Sequence, residues 1–367
     1  MSDRIGDIRA SVHRHAADLP LKPGQARGSS RVICEVETEG GHVGVGMTGK
    51  FLAHGVVAAI HHHILPAIKG MDVHDVEAIH ARLHPVLSER GRQSGANLWA
   101  LSAVDLALWD IIGQISGRPV ASLLGGHQPH ANVYVTFGFG VYERDELVEV
   151  GRMLIDKGHS RLKVLVGVSS DGVQGDAARV RHVRAALGDQ VTLAMDANES
   201  ITLDYAQRLC RLVEDCDIAW FEDPVRGNDP RDLAALRRGT VIPLSAGQMD
   251  GHSTRFREWL EHDAIDIFMP NSMYNGGMTE TRRVAALAQI HHRPLSDAGG
   301  GGVYCLHHVA GLRGGTLAEC HLGVEAWEQA IFTNAPLPEN GRIVIPDRPG
   351  FGVTLDRDML RETLVTP

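Results

Sequence analysis

Several classes of protein are excluded by what this sequence does not contain. No run approaches the ~18 to 20 consecutive apolar residues needed to cross a bilayer. Met1 to Ala10, which holds Asp3, Arg4, Asp7 and Arg9, has no apolar stretch and is not expected to act as a secretory signal. Basic charge is in deficit. Against 45 Asp and Glu stand 36 Lys and Arg, a net charge of −9, so no basic stripe can replace the counterions of a nucleic acid. Neither nucleic acid nor a membrane is an expected partner. The five cysteines (Cys34, Cys210, Cys216, Cys305, Cys320) are odd in number and lack disulfide-framework or metal-ligand spacing. Reduced thiols in a cytoplasmic protein are the reading that follows.

Glycine, by contrast, is abundant at 41 residues, which suits an α/β chain with many short turns. At 367 residues there is room for two domains, one of them a barrel of roughly 250 residues. The triplet His61-His62-His63 resembles a metal site. It falls within a helical pattern, however, where adjacent side chains diverge, so it reads as surface histidine.

Residues 31–46 alternate as a hairpin about Glu39-Gly40-Gly41. Helical stretches follow at Val56 to Ile68, Val73 to Leu87 and Asn97 to Ser116, the last stopped by Gly117-Arg118-Pro119. This describes an α+β domain over 1–126. From Val133 short apolar strands alternate with amphipathic helices. Strands are expected at Val133 to Val135, Arg161 to Val166, Val191 to Asp196, Ile218 to Glu222, Ile242 to Ala246, Ile265 to Met269 and Arg293 to Leu295, with a closing strand near Thr316 to His321. An open doubly wound sheet is the competing fold, but no glycine-rich phosphate turn follows the first strand. The barrel is assigned to 127–335. The tail, 336–367, loses the βα rhythm and is expected to pack back on the first domain.

A barrel places its chemistry at the C-terminal ends of its strands. The third expected strand ends in Asp196, the fourth in Glu222 and the fifth in Gly247-Gln248, at intervals of 26 residues. Any one of them could cap the following helix. Three oxygen-bearing side chains at equal intervals fit a hard cation better, and Mg²⁺ is the expected metal. On the second strand the period of two sends Arg161, Lys163 and Leu165 to one face. If that face is the interior, Lys163 meets the site and, beside cations, can act as a neutral base with a lowered pKa.

In order and spacing these motifs resemble the mandelate racemase branch of the enolase superfamily, the mandelate racemase/muconate lactonizing enzyme family. The resemblance runs through Gly158 to Gly167, Met195-Asp196-Ala197-Asn198, Phe221-Glu222-Asp223-Pro224, Gly247-Gln248 and Met269-Pro270-Asn271 with Gly276-Gly277. Upstream it includes Ala103 to Asp110 and Leu123 to Gly126, and it spans nearly the whole chain. It implies a (β/α)₇β modified TIM barrel under an α+β capping domain. It also implies Mg²⁺ on a small-molecule carboxylate substrate, abstraction of the proton beside that carboxylate, and a homo-oligomer, either dimer or octamer. Asp196 and Glu222 are then metal ligands with Asn198 beside the first. Lys163 is the proton-transfer residue, and Glu319 is the eighth-strand acid that supports the substrate.

The sequence departs from the family pattern at several points. The third metal position holds neutral Gln248, with Asp250 nearby as a substitute. The usual Lys-x-Lys pair is Lys163-Val164-Leu165, or Arg161 and Lys163 in the other register. The Asp–His dyad is missing: Asn271 stands at the Asp position, and Ser296-Asp297-Ala298-Gly299 lacks the His. Asp297, His307 and Tyr304 are candidates for a second acid or base. The glycines 299–302 serve either a close approach to substrate or a bare turn. Loops at Leu21 to Ser30 and Met47 to His54 are the expected lids, with Lys22, Arg27, Thr48 and Lys50 as polar contacts.

One lysine without a dyad disfavours a two-base racemase. The expected reaction is syn elimination of water from a sugar acid to a 2-keto-3-deoxy product, which makes the enzyme a lyase. The alternatives are a racemase, epimerase or lactone cycloisomerase, and a barrel that binds a ligand without catalysis.

Overall fold

The computed structural model describes residues 3–16, 18–23, 28–88 and 95–365. A three-stranded antiparallel sheet opens the chain, formed by β1 (Ile5–His15), β2 (Ser29–Thr38) and β3 (Val43–Thr48). The β2–β3 hairpin is the expected one. β1 is a strand the sequence concealed, since Ile5, Ile8 and Val12 are spaced by three and four, as in a helix. A register shift between Ile5 and Asp7 reconciles that spacing with pairing to β2.

Helices α1 (Ala53–Ala59) and α2 (Leu65–Ile68) flank a π-helical turn, Ile60–Ile64. His62 and His63 in that turn are exposed, whereas His61 Nε2 accepts the Ala10 N–H at 3.1 Å. α3 (Val76–Leu87) leads to α4 (Gly95–Ser116), and α5 (Val120–Leu123) closes this part of the chain.

α4 is long and apolar enough by composition to cross a membrane, but 83% of its apolar window is buried inside the protein. It is the core helix of the capping unit. β3 lies directly on it at Gly46, where a Cβ would overlap the Ala103 carbonyl. Two buried aspartates fasten α4 to its surroundings. Asp105 accepts from Thr279 N (3.0 Å) and Oγ1 (2.6 Å), and Asp110 accepts from Val45 N and Phe351 N.

Seven strands then form the curled parallel sheet: β4 (His130–Gly138), β5 (Arg161–Leu165), β6 (Thr192–Asp196), β7 (Ile218–Glu222), β8 (Leu244–Ala246), β9 (Ile267–Phe268) and β10 (Leu317–His321). The intervening helices are α6 (Arg144–Asp156), α7 (Gly172–Leu187), α8 (Leu203–Leu212), α9 (Pro230–Arg238), α10 (Ser253–Glu261), α11 (Gly277–Ile290) and α12 (Gly302–Gly311). β10 pairs with β4, which closes one seam. At the other, the expected seventh strand is reduced to Leu295, bridged in parallel to both Phe268 and Gly315. The fold is therefore an α/β barrel with a separate capping sheet.

After α13 (Leu322–Ile331) the tail touches both parts. β11 (Arg342–Val344) pairs antiparallel with β4 of the barrel. α14 (Arg357–Thr363) lies by β1, where Val365 N donates to Val12 O and Arg357 pairs with Glu35.

Candidate active site

Alternation within β5 decides the centre of the site. Leu162 and Val164 pack outward into the main apolar core, which turns Lys163 inward. Lys163 is buried, with Nζ 3.0 Å from Asp196 Oδ2, 2.6 Å from Glu222 Oε2 and 3.2 Å from Glu319 Oε1. The ammonium also lies 5.2 Å from the Tyr134 ring centroid. Residues from four staves thus meet at one nitrogen.

Each carboxylate is held differently. Asp196 Oδ1 accepts the Asn198 N–H at 2.8 Å, while Asn198 itself has a φ of 46°. Glu222 Oε2 accepts from Trp220 Nε1 at 3.4 Å, and its Oε1 is buried without a partner. Glu319 accepts from Thr136 Oγ1 through Oε1 and from Gly300 N at 2.8 Å through Oε2.

Burial pushes Asp196 and Glu222 upward from the usual carboxylate range, against the opposing pull of Lys163. Burial would raise Glu319 as well, but the charge of Lys163, with the hydrogen bond from Thr136, holds it below its ordinary value. For Lys163, burial pulls the pKa down, and Asp196, Glu222 and Glu319 together overcome it and leave it well raised. The expected lowering of the lysine is reversed here, because three carboxylates surround it.

Oxygens of Asp196, Glu222 and the neighbouring Asp223 lie within 4.8 Å of one another. The orphaned Glu222 oxygen and this surplus of hard anionic donors over a single ammonium fit a small divalent cation such as Mg²⁺. Gln248 borders the same cavity with Nε2 against Gly299, where a Cβ would collide with it. Asp250 turns aside, sharing Asn228 Nδ2 with Asp223 at 3.0 and 2.9 Å. Burial, with the charge of Glu199, pushes Asp250 up to about 7.

The cavity holds about 1070 Å³ between the barrel mouth and the capping sheet. Lys163, Asp196, Asn198, Gln248, Glu319 and Lys50 line it, and Glu222 lies buried just beneath. Other sequence-predicted residues are not brought there. His307 is buried against Phe351 and its Nδ1 accepts the Ala121 N–H. Tyr304 donates to Val45 O at 3.3 Å and stacks edge-on to Phe351. Asn271 is occupied by Ala298 O and Met273 N. Asp297 lies behind Glu319, accepting its N–H at 2.7 Å, and burial raises its pKa well above the usual range. Lys22 pairs with Glu146 at 2.6 Å, outside the cavity lining. Thr48 is buried, donating to Met273 O. Arg27 lies outside the described residues.

Among the lining residues that the sequence reading did not single out are His321 and Arg31. A usable signal existed for His321: it follows Glu319 by two on β10, so the strand period turns both inward. Its Nδ1 accepts the Gly323 N–H at 3.2 Å, which leaves the proton on Nε2. Burial pushes its pKa down to about 4, so the ring is neutral. The 299–302 turn acts as a close-packed support: Gly300, at φ 63°, has its Cα against the His321 side chain while its N–H reaches Glu319.

Comparison with known proteins covers both parts of the chain. Residues 10–125 match the mandelate racemase / muconate lactonizing enzyme N-terminal domain, and residues 146–359 match the enolase C-terminal domain-like family. Arabinonate dehydratase of Saccharolobus solfataricus is 29% identical over 90% of each chain. D-galactarolactone cycloisomerase of Agrobacterium fabrum is 30% identical over 98% of each. The crystal structure of L-talarate dehydratase from Polaromonas sp. JS666, complexed with Mg and L-glucarate, is similar with a TM-score of 0.87 at 30% identity. That match covers 100% of this chain and 98% of the other.

Proposed function

Because this chain belongs to the mandelate racemase/muconate lactonizing enzyme family of the enolase superfamily, we propose that it is a Mg²⁺-dependent sugar-acid dehydratase. It removes the proton next to the substrate carboxylate and expels the β-hydroxyl as water, giving a 2-keto-3-deoxy acid. The observation that carries this reading is the convergence of Asp196, Glu222 and Glu319 on Lys163 Nζ within 2.6–3.2 Å.

In this reading Asp196 and Glu222 hold the metal, with Gln248 or Asp223 as the further oxygen donor. The bound Mg²⁺ supplies positive charge that offsets the charge gathering on the substrate carboxylate as the proton leaves. Proton transfer falls to Lys163. Its amine takes the proton once Asp196 and Glu222 no longer serve as its ion-pair partners, and the resulting ammonium returns it to the departing hydroxyl. One residue then acts as base and acid on one face, and the bookkeeping closes with loss of water. Glu319, ionised and fixed by Thr136 and Gly300, keeps Lys163 aimed. His321 offers Nε2–H to a substrate oxygen, a neutral donor suited to an oxyanion.

The position of Asp297 behind Glu319 leaves no second acid from the seventh stave in the cavity lining, among the described residues. This favours elimination over two-base racemisation. Lactone cycloisomerisation is the second reading, supported by the 30% identity to the galactarolactone enzyme over nearly the full chain.

Incubation with Mg²⁺ and a panel of aldonates and aldarates, followed by a semicarbazide assay, tests the choice. Formation of a 2-keto acid supports dehydration. Exchange of the α-proton in D₂O without any keto acid sinks it in favour of the isomerase. The five buried free thiols support a cytoplasmic setting, and the family resemblance supports a homo-oligomer. We read residues 1–126 as the cap, 127–335 as the barrel and 336–367 as the segment that ties them.

A further inference from the structure

The wall of the cavity opposite the carboxylates belongs to the capping sheet, and its charge is of the other sign. Arg31, on β2, and Lys50, just after β3, both line it. Arg31 is 3% exposed. Among the described residues, no carboxylate lies within ion-pair distance of its guanidinium. Nη1 donates to Ser30 O at 3.0 Å and Ser29 Oγ at 3.4 Å, Nε has no partner, and the group lies 5.7 Å from the Trp327 ring centroid.

Glu328 feels the charge of Arg31, yet it is no counterion at neutral pH: burial pushes it up to about 8 while it accepts from Val303 N. Lys50 likewise has an aromatic face, Phe51 at 5.1 Å, and, among the described residues, no carboxylate in an ion pair with it. Burying an arginine without an anion is costly unless a ligand brings the anion. The barrel end of the same cavity, meanwhile, is committed to a carboxylate and its metal.

Resting on the sugar-acid reading above, we infer that Arg31 and Lys50 form an anion subsite for the far end of the substrate. The substrate is then a polyhydroxy acid carrying a second, terminal anion, and an acid with a neutral terminus lacks a partner for this wall. A terminal carboxylate and a terminal phosphate monoester present the same chemistry to a guanidinium fork, so the test separates them.

Binding to the Mg²⁺-loaded full chain is measured by calorimetry for sets of equal carbon length. These are glucarate, gluconate and 6-phosphogluconate, and galactarate, galactonate and 6-phosphogalactonate. In at least one set, a doubly anionic acid is expected to bind about tenfold or more tighter than its mono-acid. A preference for the diacid identifies a carboxylate, and a preference for the phosphorylated acid identifies a phosphate. Arg31→Met is expected to reduce the preference to within about threefold while leaving mono-acid affinity within twofold, and Arg31→Lys to restore part of it. Lys50→Met, on a more exposed side chain, provides the same readout should Arg31→Met fold poorly. Equal binding of mono-acids and doubly anionic acids by the wild type overturns the inference while leaving the sugar-acid reading intact. Equal weakening of all ligands by both variants also overturns it. Failure of every acid to bind removes the sugar-acid reading and this inference with it.

Discussion

Asp196 and Glu222 stand opposite each other across the β6–β7 ladder, and both reach the same ammonium, at 3.0 and 2.6 Å from Lys163 Nζ. Two anions at one level of adjacent staves are repulsive unless a cation lies between them. The Lys163 ammonium lies between them, and the same two carboxylates are the proposed metal ligands.

Metal affinity should therefore depend on both. Asp196→Asn and Glu222→Gln are each expected to weaken Mg²⁺ binding at least tenfold, about 1.4 kcal/mol, in a calorimetric titration. Unchanged affinity in both variants would remove the metal site from these staves and, with it, the enzymatic reading.

Replacing Lys163 separates catalysis from packing. Lys163→Met should lower kcat by about 10² to 10⁴ and, without metal, destabilise the fold by about 3–5 kcal/mol by leaving buried carboxylates uncompensated. Urea unfolding with and without Mg²⁺ checks the second part: the cation should recover much of the lost stability. A variant with wild-type turnover would rule out the lysine as proton carrier.

The glycine turn offers a test of the support beneath the site. Gly300→Ala places a Cβ against His321 and demands a φ of 63° from a residue that resists it. The expected loss is about 1–3 kcal/mol of stability, with a fall in turnover as the N–H bond to Glu319 is displaced. Thermal unfolding and steady-state kinetics read the two effects.

His307, buried behind the barrel, predicts a pH effect unrelated to catalysis. Burial lowers its pKa from 6.5 to about 4. Between those values the unfolded chain binds a proton that the folded chain does not, so folding stability from this group is lost as pH falls from 6.5 towards 4. Relative to His307→Gln, the wild type should lose on the order of 2–3 kcal/mol across that window. Parallel stability profiles for the two proteins would contradict the burial argument.

Much of the barrel was readable because its information is local. A strand period of two and a βα repeat of 26 residues suffice to put Asp196, Glu222 and Gln248 at successive strand ends and to turn Lys163 inward. Leu295 kept its stave although only isolated bridges to Phe268 and Gly315 survive there. β1 was lost because its bulge breaks the alternation that a strand is recognised by.

The sequence by itself determined the order of the staves and which residues end them, since each depends on neighbours a few positions away. Only the tertiary structure decided the rest. It turned His307, Tyr304 and Asn271 into packing groups, moved Asp250 aside to Asn228, and brought Arg31 from a strand 132 positions before Lys163 to the wall facing it. It also set the sign of the lysine's pKa shift. A field summed over Asp196, Glu222 and Glu319 depends on distances that the chain acquires only when the barrel closes.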